Sequence, residues 1–285
     1  MGDEKIVHDM VHFKTSTNKH PLGVSKTVVG DKPIWENPMH HSVWTDEEVN
    51  GVRKTHKPIE GLADRLAFSG VKLCRWSFDT FSGFRFGELT ESKVISRICF
   101  LETVAAVPGM TAGMLRHLRS LRRMDRDHGW IHTLLEEAEN ERMHLLTFVK
   151  LKKPSYAFRT AVVATQGIFM NLFFVAYIAS PRFCHRFVGY LEEEAVKTYT
   201  DIIHEIDNGK LKHWQTQPAP QIAIDYWHLR PDASMRDLML AVRMDEANHR
   251  DVNHTFASLK KNEINPYVQA HAEETAASRA IPSNA

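Results

Sequence analysis

From about residue 62 onward, apolar residues recur at three- and four-residue spacing, and no stretch keeps the apolar/polar alternation of a half-buried strand. The pattern predicts helices near 62–84, 92–119, 127–151, 155–179, 182–208 and 233–260, separated at Gly83, Pro154, Pro181 and Pro218-Ala219-Pro220. Pro108 falls inside the second helix, where its missing N–H predicts a kink. Asn208-Gly209 has no alternating runs beside it and reads as a helix stop. Residues 1–60 are polar, carry Pro21, Pro33, Pro38 and Pro58, and lack a helical period, so they read as an extended arm. A helical body over 61–262 and a frayed tail over 263–285 complete the division. No repeat at a fixed period of roughly 20 to 50 residues occurs, which excludes a solenoid. The expectation is an all-α bundle.

Composition narrows the function classes. The 285 residues are 43% hydrophobic and 25% charged, and 36 Lys and Arg against 35 Asp and Glu leave a formal charge of +1. That is globular composition with no basic excess, which argues against a nucleic-acid binder. Cys74, Cys99 and Cys184 lie far apart, so neither a disulfide framework nor a four-cysteine zinc site is available. Met1-Gly2-Asp3-Glu4-Lys5 starts acidic, without an apolar signal core or transit-peptide character, and Ile6 stands where myristoylation needs Ser or Thr. The unusual number is seventeen histidines.

Two of those histidines belong to a repeated pattern. Glu141-Arg142-Met143-His144 is Glu-x-x-His, and it returns as Glu246-Ala247-Asn248-His249. At about 100° per residue, a spacing of three leaves carboxylate and imidazole roughly 60° apart, so both reach one ion. A di-iron carboxylate bundle needs two such pairs and one inward Glu from each of two further helices. Glu102, alone on the apolar run Ile98 to Val107, supplies one, since an isolated buried carboxylate needs a partner, a proton or a metal. Leu191-Glu192-Glu193-Glu194-Ala195 offers three acids for the other, and periodicity alone does not choose among them. Tyr199, seven residues after Glu192 on the same face, favours Glu192. Asp201 and His204, a second acid-to-histidine spacing of three, fall on the outer face. Four carboxylates and two imidazoles suit iron or manganese better than zinc. The other histidines, among them His40-His41, His117 and His185, lack such pairing and read as surface or packing residues.

Thr160 to Pro181 carries no charge over 22 positions. A crossing there would put Glu141 and His144 on one side of a bilayer and Glu192 on the other, so this helix packs or lies down instead. A crossing by Ile95 to Leu115 would strand Glu102 at mid-bilayer. Segment 62–86 mixes Leu66, Phe68, Trp76, Phe81, Phe84 and Phe86 with Arg65, Lys72, Arg75 and Arg85, as an interfacial helix does. Together with 155–179 it predicts an apolar face entering one leaflet.

Over roughly residues 60–260 the chain resembles the alternative oxidases, di-iron ubiquinol oxidases of the mitochondrial inner membrane. The resemblance rests on four blocks in order: Leu101-Glu102-Thr103-Val104, Asn140-Glu141-Arg142-Met143-His144-Leu145, Leu191-Glu192-Glu193-Glu194-Ala195 and Asp245-Glu246-Ala247-Asn248-His249. It implies a ferritin-like four-helix bundle with two membrane-associated helices, monotopic on the matrix face. By the same resemblance the ligands of two iron ions are Glu102, Glu141, His144, Glu192, Glu246 and His249, and no haem is expected. Tyr199 matches the family's active-site tyrosine, and Asn140 and Asp245 fall where its members hydrogen-bond the ligands. The quinol pocket carries over to Arg75, Arg97, Leu101, Glu194, Ala195 and Thr198. The implied reaction is cyanide-insensitive reduction of O2 to water by ubiquinol without proton pumping. A homodimer is implied too, through the helix bearing Met114, Leu115, His117, Leu118 and Leu121. One departure stands out: no cysteine precedes Cys74, so thiol regulation like that of plant members is not expected. Competing readings are an iron-storage bundle, a di-iron hydroxylase or plastid-type quinol oxidase, and a membrane scaffold without chemistry.

Overall fold

A computed structural model of the chain describes residues 28, 29, 32, 33, 41–260 and 262–267. The chain forms two units, Met1–His40 and His41–Ala285. In the first, strands β1 (Val28–Val29) and β2 (Lys32–Pro33) pair antiparallel, Val28 opposite Pro33. The rest of the arm before His41, and the tail beyond Tyr267, lie outside the described residues.

The second unit is helical: α1 Asp46–Gly51, α2 Leu62–Phe81, α3 Glu91–Arg123, α4 Trp130–Val149, α5 Tyr156–Ala179, α6 Pro181–Asp207, α7 Gln221–Trp227 and α8 Met235–Ser258, with a 3-10 turn at Lys212–Gln215. All six long helices match the periodicity. The differences have local causes. α1 lies within the segment expected to be extended; it is too short to show a period but carries a capping box, Thr45 with Glu48. α3 outruns its expected end because nothing stops it before Met124, whose φ of 54° closes it in the left-handed region. The helix also runs on through Pro108. α7 and the 3-10 turn, seven and four residues long, fall below the length at which periodicity speaks. α6 ends at Asp207 and Gly209 has φ 76°, the stop read from Asn208-Gly209.

Helices α3, α4, α6 and α8 form a four-helix bundle of two antiparallel pairs. The α3/α4 pair is close because Pro108 is followed by Gly109: a Cβ there would lie 2.6 Å from the Leu134 carbonyl. In the α6/α8 pair, Asp207 bonds Arg236 at one end, and Arg186 bonds Ser258 at the other. Apolar packing fills the bundle beyond its centre, with Ile206, Leu211, Trp214, Met235, Leu238 and Met239 buried, each such side chain contributing roughly 1.5–3 kcal/mol.

Helices α2 and α5 flank this bundle. α2 packs on α6 with Ala67 and Val71 against Tyr190, leaving Leu66, Leu73, Trp76 and Phe81 exposed. α5 lies along α3, where the Gln166 amide donates to the Thr103 carbonyl at 2.5 Å. Only Phe173 and Tyr177 of α5 are fully buried, while Val163, Ile168, Leu172, Val175 and Ile178 are each more than 60% exposed. Both α3 and α5 are long and apolar enough to cross a membrane, but α5 is the one whose apolar surface is largely uncovered.

Candidate metal centre

One turn from each bundle helix meets the others at the centre. α3 brings Glu102, α4 brings Glu141 and His144, α6 brings Glu192, and α8 brings Glu246 and His249, all buried. Each Glu-x-x-His pair projects inward because three residues along a helix stay on one face. Ligand atoms of Glu102, Glu141, His144 and Glu246 lie within 4.8 Å of one another, and so do those of Glu141, Glu192, Glu246 and His249. Glu141 and Glu246 belong to both groups, so the two groups share their carboxylates.

Several of the donor atoms face one another without hydrogen bonds. Among the described residues, Glu102 Oε2, both Glu141 oxygens, His144 Nδ1 and His249 Nδ1 are buried and have no hydrogen-bond partner. His249 Nδ1 stands 2.8 Å from Glu141 Oε1, and His144 Nδ1 3.4 to 3.5 Å from oxygens of Glu102, Glu141 and Glu246, out of bonding geometry. A buried polar atom left so costs about 1–3 kcal/mol, more when charged. Lone pairs converging on one buried space are the setting in which a metal ion could be held. The protonation equilibria carry the same message. Burial and the neighbouring carboxylates, Glu141 beside Glu102 and Glu246 beside Glu192, push the carboxyls of Glu102 and Glu192 above the ordinary range. Burial opposes charge on the imidazoles too, but the surrounding carboxylates together, Glu141 foremost, outweigh it, raising His144 and taking His249 to about 9.

His144 is held from behind. Its Nε2 lies 3.0 Å from Asp245 Oδ2, leaving Nδ1 for the centre. That oxygen also accepts from Asn140 Nδ2 at 3.1 Å and Trp227 Nε1 at 2.7 Å, and Oδ1 meets Trp44 Nε1 at 2.5 Å and His41 Nε2 at 2.9 Å. Burial would raise the Asp245 carboxyl, yet His41 and His144 hold it far below the usual range. An imidazole anchored by a carboxylate is oriented and made a stronger donor to metal.

The alternative oxidase family model matches residues 44–258. The chain is 53% identical over 252 residues to the mitochondrial alternative oxidase of Trypanosoma brucei brucei, covering 87% of this chain and 74% of that protein. It is 50% identical to the Aspergillus niger protein of the same name, covering 83% and 71%, and 46% identical to "Alternative oxidase 2, mitochondrial" of Candida albicans, covering 83% and 69%. The chain belongs to the alternative oxidase family.

In this family member Tyr199 is buried on the inner face of α6 with Glu192, but its hydroxyl donates to Glu102 Oε1 at 2.7 Å and not to its own helix. Burial and the Glu102 carboxylate raise the phenol well above its usual range. Glu102 does not pair with Arg97, which binds Asp79 and stacks on Phe84. The three acids of α6 separate: Glu192 faces inward, Glu193 meets α8, and Glu194 faces α2, where its carboxylate lies 2.7 Å from Arg75 and 2.5 Å from Lys72. Arg75 also donates to Thr198 Oγ1 at 3.1 Å, so Arg75, Glu194 and Thr198 form one cluster on the α2/α6 seam. Arg97 joins it through Asp79, which Arg75 also approaches at 3.5 Å. Leu101 and Ala195 are half-buried next to Glu102 and Glu194 in sequence. Asp201 and His204 are exposed on the outer face, as their rotation requires.

Three partners of Asp245 escaped the sequence reading. His41, read there as a surface or packing residue, is buried against Asp245 and against the Tyr226 and Trp227 rings. Trp44 and Trp227 bring the other indole donors from the segment before α1 and the end of α7. Their signal was weak, because a lone Trp in a short element has no spacing to read. His117 is exposed, and His185 is a packing histidine between Tyr177 and Asn253.

Proposed function

We propose that this family member is a cyanide-insensitive terminal ubiquinol oxidase that reduces O2 to water at a non-haem di-iron centre and moves no protons across the membrane. The observation that carries the reading is the convergence of buried donor atoms on Glu102, Glu141, His144, Glu192, Glu246 and His249, with atoms of Glu102, Glu141, His144 and His249 left without a hydrogen-bond partner. Family membership makes the chain an oxidoreductase, and two ubiquinols with one O2 yield two quinones and two waters, so electrons and protons balance within the reaction. Two irons held by those six residues would supply the electron exchange with O2.

The chain's own groups do the rest. Asp245, with Asn140 behind it, fixes the His144 ring. Tyr199 carries its proton on a hydroxyl bonded to Glu102, a position from which one proton and one electron can pass into the centre. Arg75 and Arg97 orient quinol oxygens by charge-assisted hydrogen bonds, and Glu194 with Thr198 accepts and relays the departing protons. Leu101 and Ala195 form the apolar side of that pocket.

The exposed apolar residues of α2 and α5 support a monotopic seat in one leaflet, which brings a lipid-soluble quinol to the α2/α6 seam. Relatives named mitochondrial support a mitochondrial location, and the seat proposed there is the matrix face of the inner membrane. On α3, Met110, Met114, Leu118 and Leu121 form an exposed apolar stripe that suits a homodimer. The test is oxygen uptake by the detergent-purified protein with a short-chain ubiquinol in the presence of cyanide. Uptake yielding water is the expected result. Oxidation of free Fe(II) without quinol turnover would favour storage, preference for plastoquinol a plastid-type enzyme, and oxygen incorporated into a product a hydroxylase.

A further inference from the structure

Glu192, Glu193 and Glu194 are consecutive and stand about 100° apart around α6, so the rotation of the helix about its axis decides which acid faces the centre. Glu193 is the one with no part in the metal cluster or the Arg75 cluster. Its carboxylate is gripped on both oxygens: Oε1 accepts the Lys57 backbone N–H at 2.8 Å and lies 2.9 Å from His254 Nε2, and Oε2 lies 2.7 Å from His56 Nδ1. These partners come from α8 and from the segment before α2, which is fastened beside them by the Tyr190 hydroxyl donating to the Lys57 carbonyl at 3.1 Å. His254 is itself pinned. Arg186, ion-paired with Asp64, lies 2.9 Å from its Nδ1, and a Cβ on Gly189 would stand 2.4 Å from that same nitrogen, so the ring occupies the room glycine leaves.

We propose that Glu193 is a positioning residue for the metal centre: gripped by His56, Lys57 and His254, it sets the rotation of α6 that turns Glu192 inward and Glu194 toward Arg75. A turn of about 20° moves a Cα on a helix of about 2.3 Å radius by about 0.8 Å. That displacement is large for a ligand that must reach the same ions as Glu141 and Glu246. The inference rests on the metal reading above.

The test uses the 285-residue chain and its Glu193→Ala, Glu193→Gln and His56→Ala variants. Melting temperature is read on metal-free protein and after anaerobic loading with Fe(II), and retained iron is titrated against a chelator. Glu193→Ala is expected to hold iron about tenfold more weakly and to show a smaller iron-induced rise in melting temperature. Glu193→Gln, which keeps size and one acceptor oxygen, recovers part of both. His56 is half-exposed, so His56→Ala folds and shifts both readings the same way by less. A Glu193→Ala protein that melts lower without iron yet gains as much from iron as the wild type would reduce Glu193 to a packing role and overturn the inference. Wild-type protein that takes up no iron would instead overturn the metal reading, and the inference with it.

Discussion

Asp245 shows how much of the site depends on residues that never reach the centre. Five N–H groups from His41, Trp44, Asn140, His144 and Trp227 surround its two oxygens. Asp245→Asn would put an amide NH2 among donors, and we expect iron retention to fall about 10- to 100-fold, measured by chelator competition; unchanged retention would mean the carboxylate does not orient His144. For Tyr199→Phe the expectation is full iron content with turnover with ubiquinol much slower, because the hydroxyl on Glu102 is lost but the ring still packs; equal turnover would remove Tyr199 from the chemistry. His185 makes a prediction about stability. Burial lowers its pKa from 6.5 to about 4, so the unfolded chain takes up a proton that the native chain refuses. Stability it contributes above pH 6.5 is therefore lost as pH falls toward 4, by roughly 2 kcal/mol between pH 7.5 and 5. Urea unfolding at the two pH values should show His185→Gln losing that much less than the wild type, and equal losses would contradict it. At this scale the two acid–histidine pairs that meet at the centre were legible because Glu-x-x-His is a spacing within one helix, whereas the indoles on Asp245 come from separate segments that only the fold brings together.

At the scale of elements, the six long helices were legible because an amphipathic period persists over twenty or more residues. Short α1 and α7 were not, and the missed partners of Asp245 lie beside or within them, His41 and Trp44 just before α1 and Trp227 at the end of α7. Glycine spacing is a further case. Gly109 lets α3 lie against α4, so Gly109→Ala gains helix propensity of about 1 kcal/mol but meets the Leu134 carbonyl, an overpacking cost of about 1–3 kcal/mol. We expect a net loss, read as a lower melting temperature; a rise would show that the two helices separate freely. The outer stripe of α3 has a separate test. Met114→Glu with Leu118→Glu should give monomers by light scattering that retain iron, and a dimer that persists would move the interface elsewhere.

For the whole molecule, the apolar surface lies on α2 and α5 while the charged centre lies inside the four-helix bundle, and the α2/α6 seam stands between them. The sequence carried part of this division: one helix without charge after Arg159, and one mixing aromatic with basic residues. Ile168→Glu with Val175→Glu should abolish binding to vesicles of neutral and anionic phospholipid without changing iron content, because both side chains are exposed and remote from the cluster; retained binding would contradict the α5 seat. The central claim is that six side chains from four helices hold a pair of iron ions. Its most direct measurement is iron per chain in the purified wild-type protein beside Glu102→Ala, Glu192→Ala and Glu246→Ala. The account predicts two irons in the wild type and loss of iron in each variant, whereas an iron-free wild type, or a variant that keeps both irons, would contradict it.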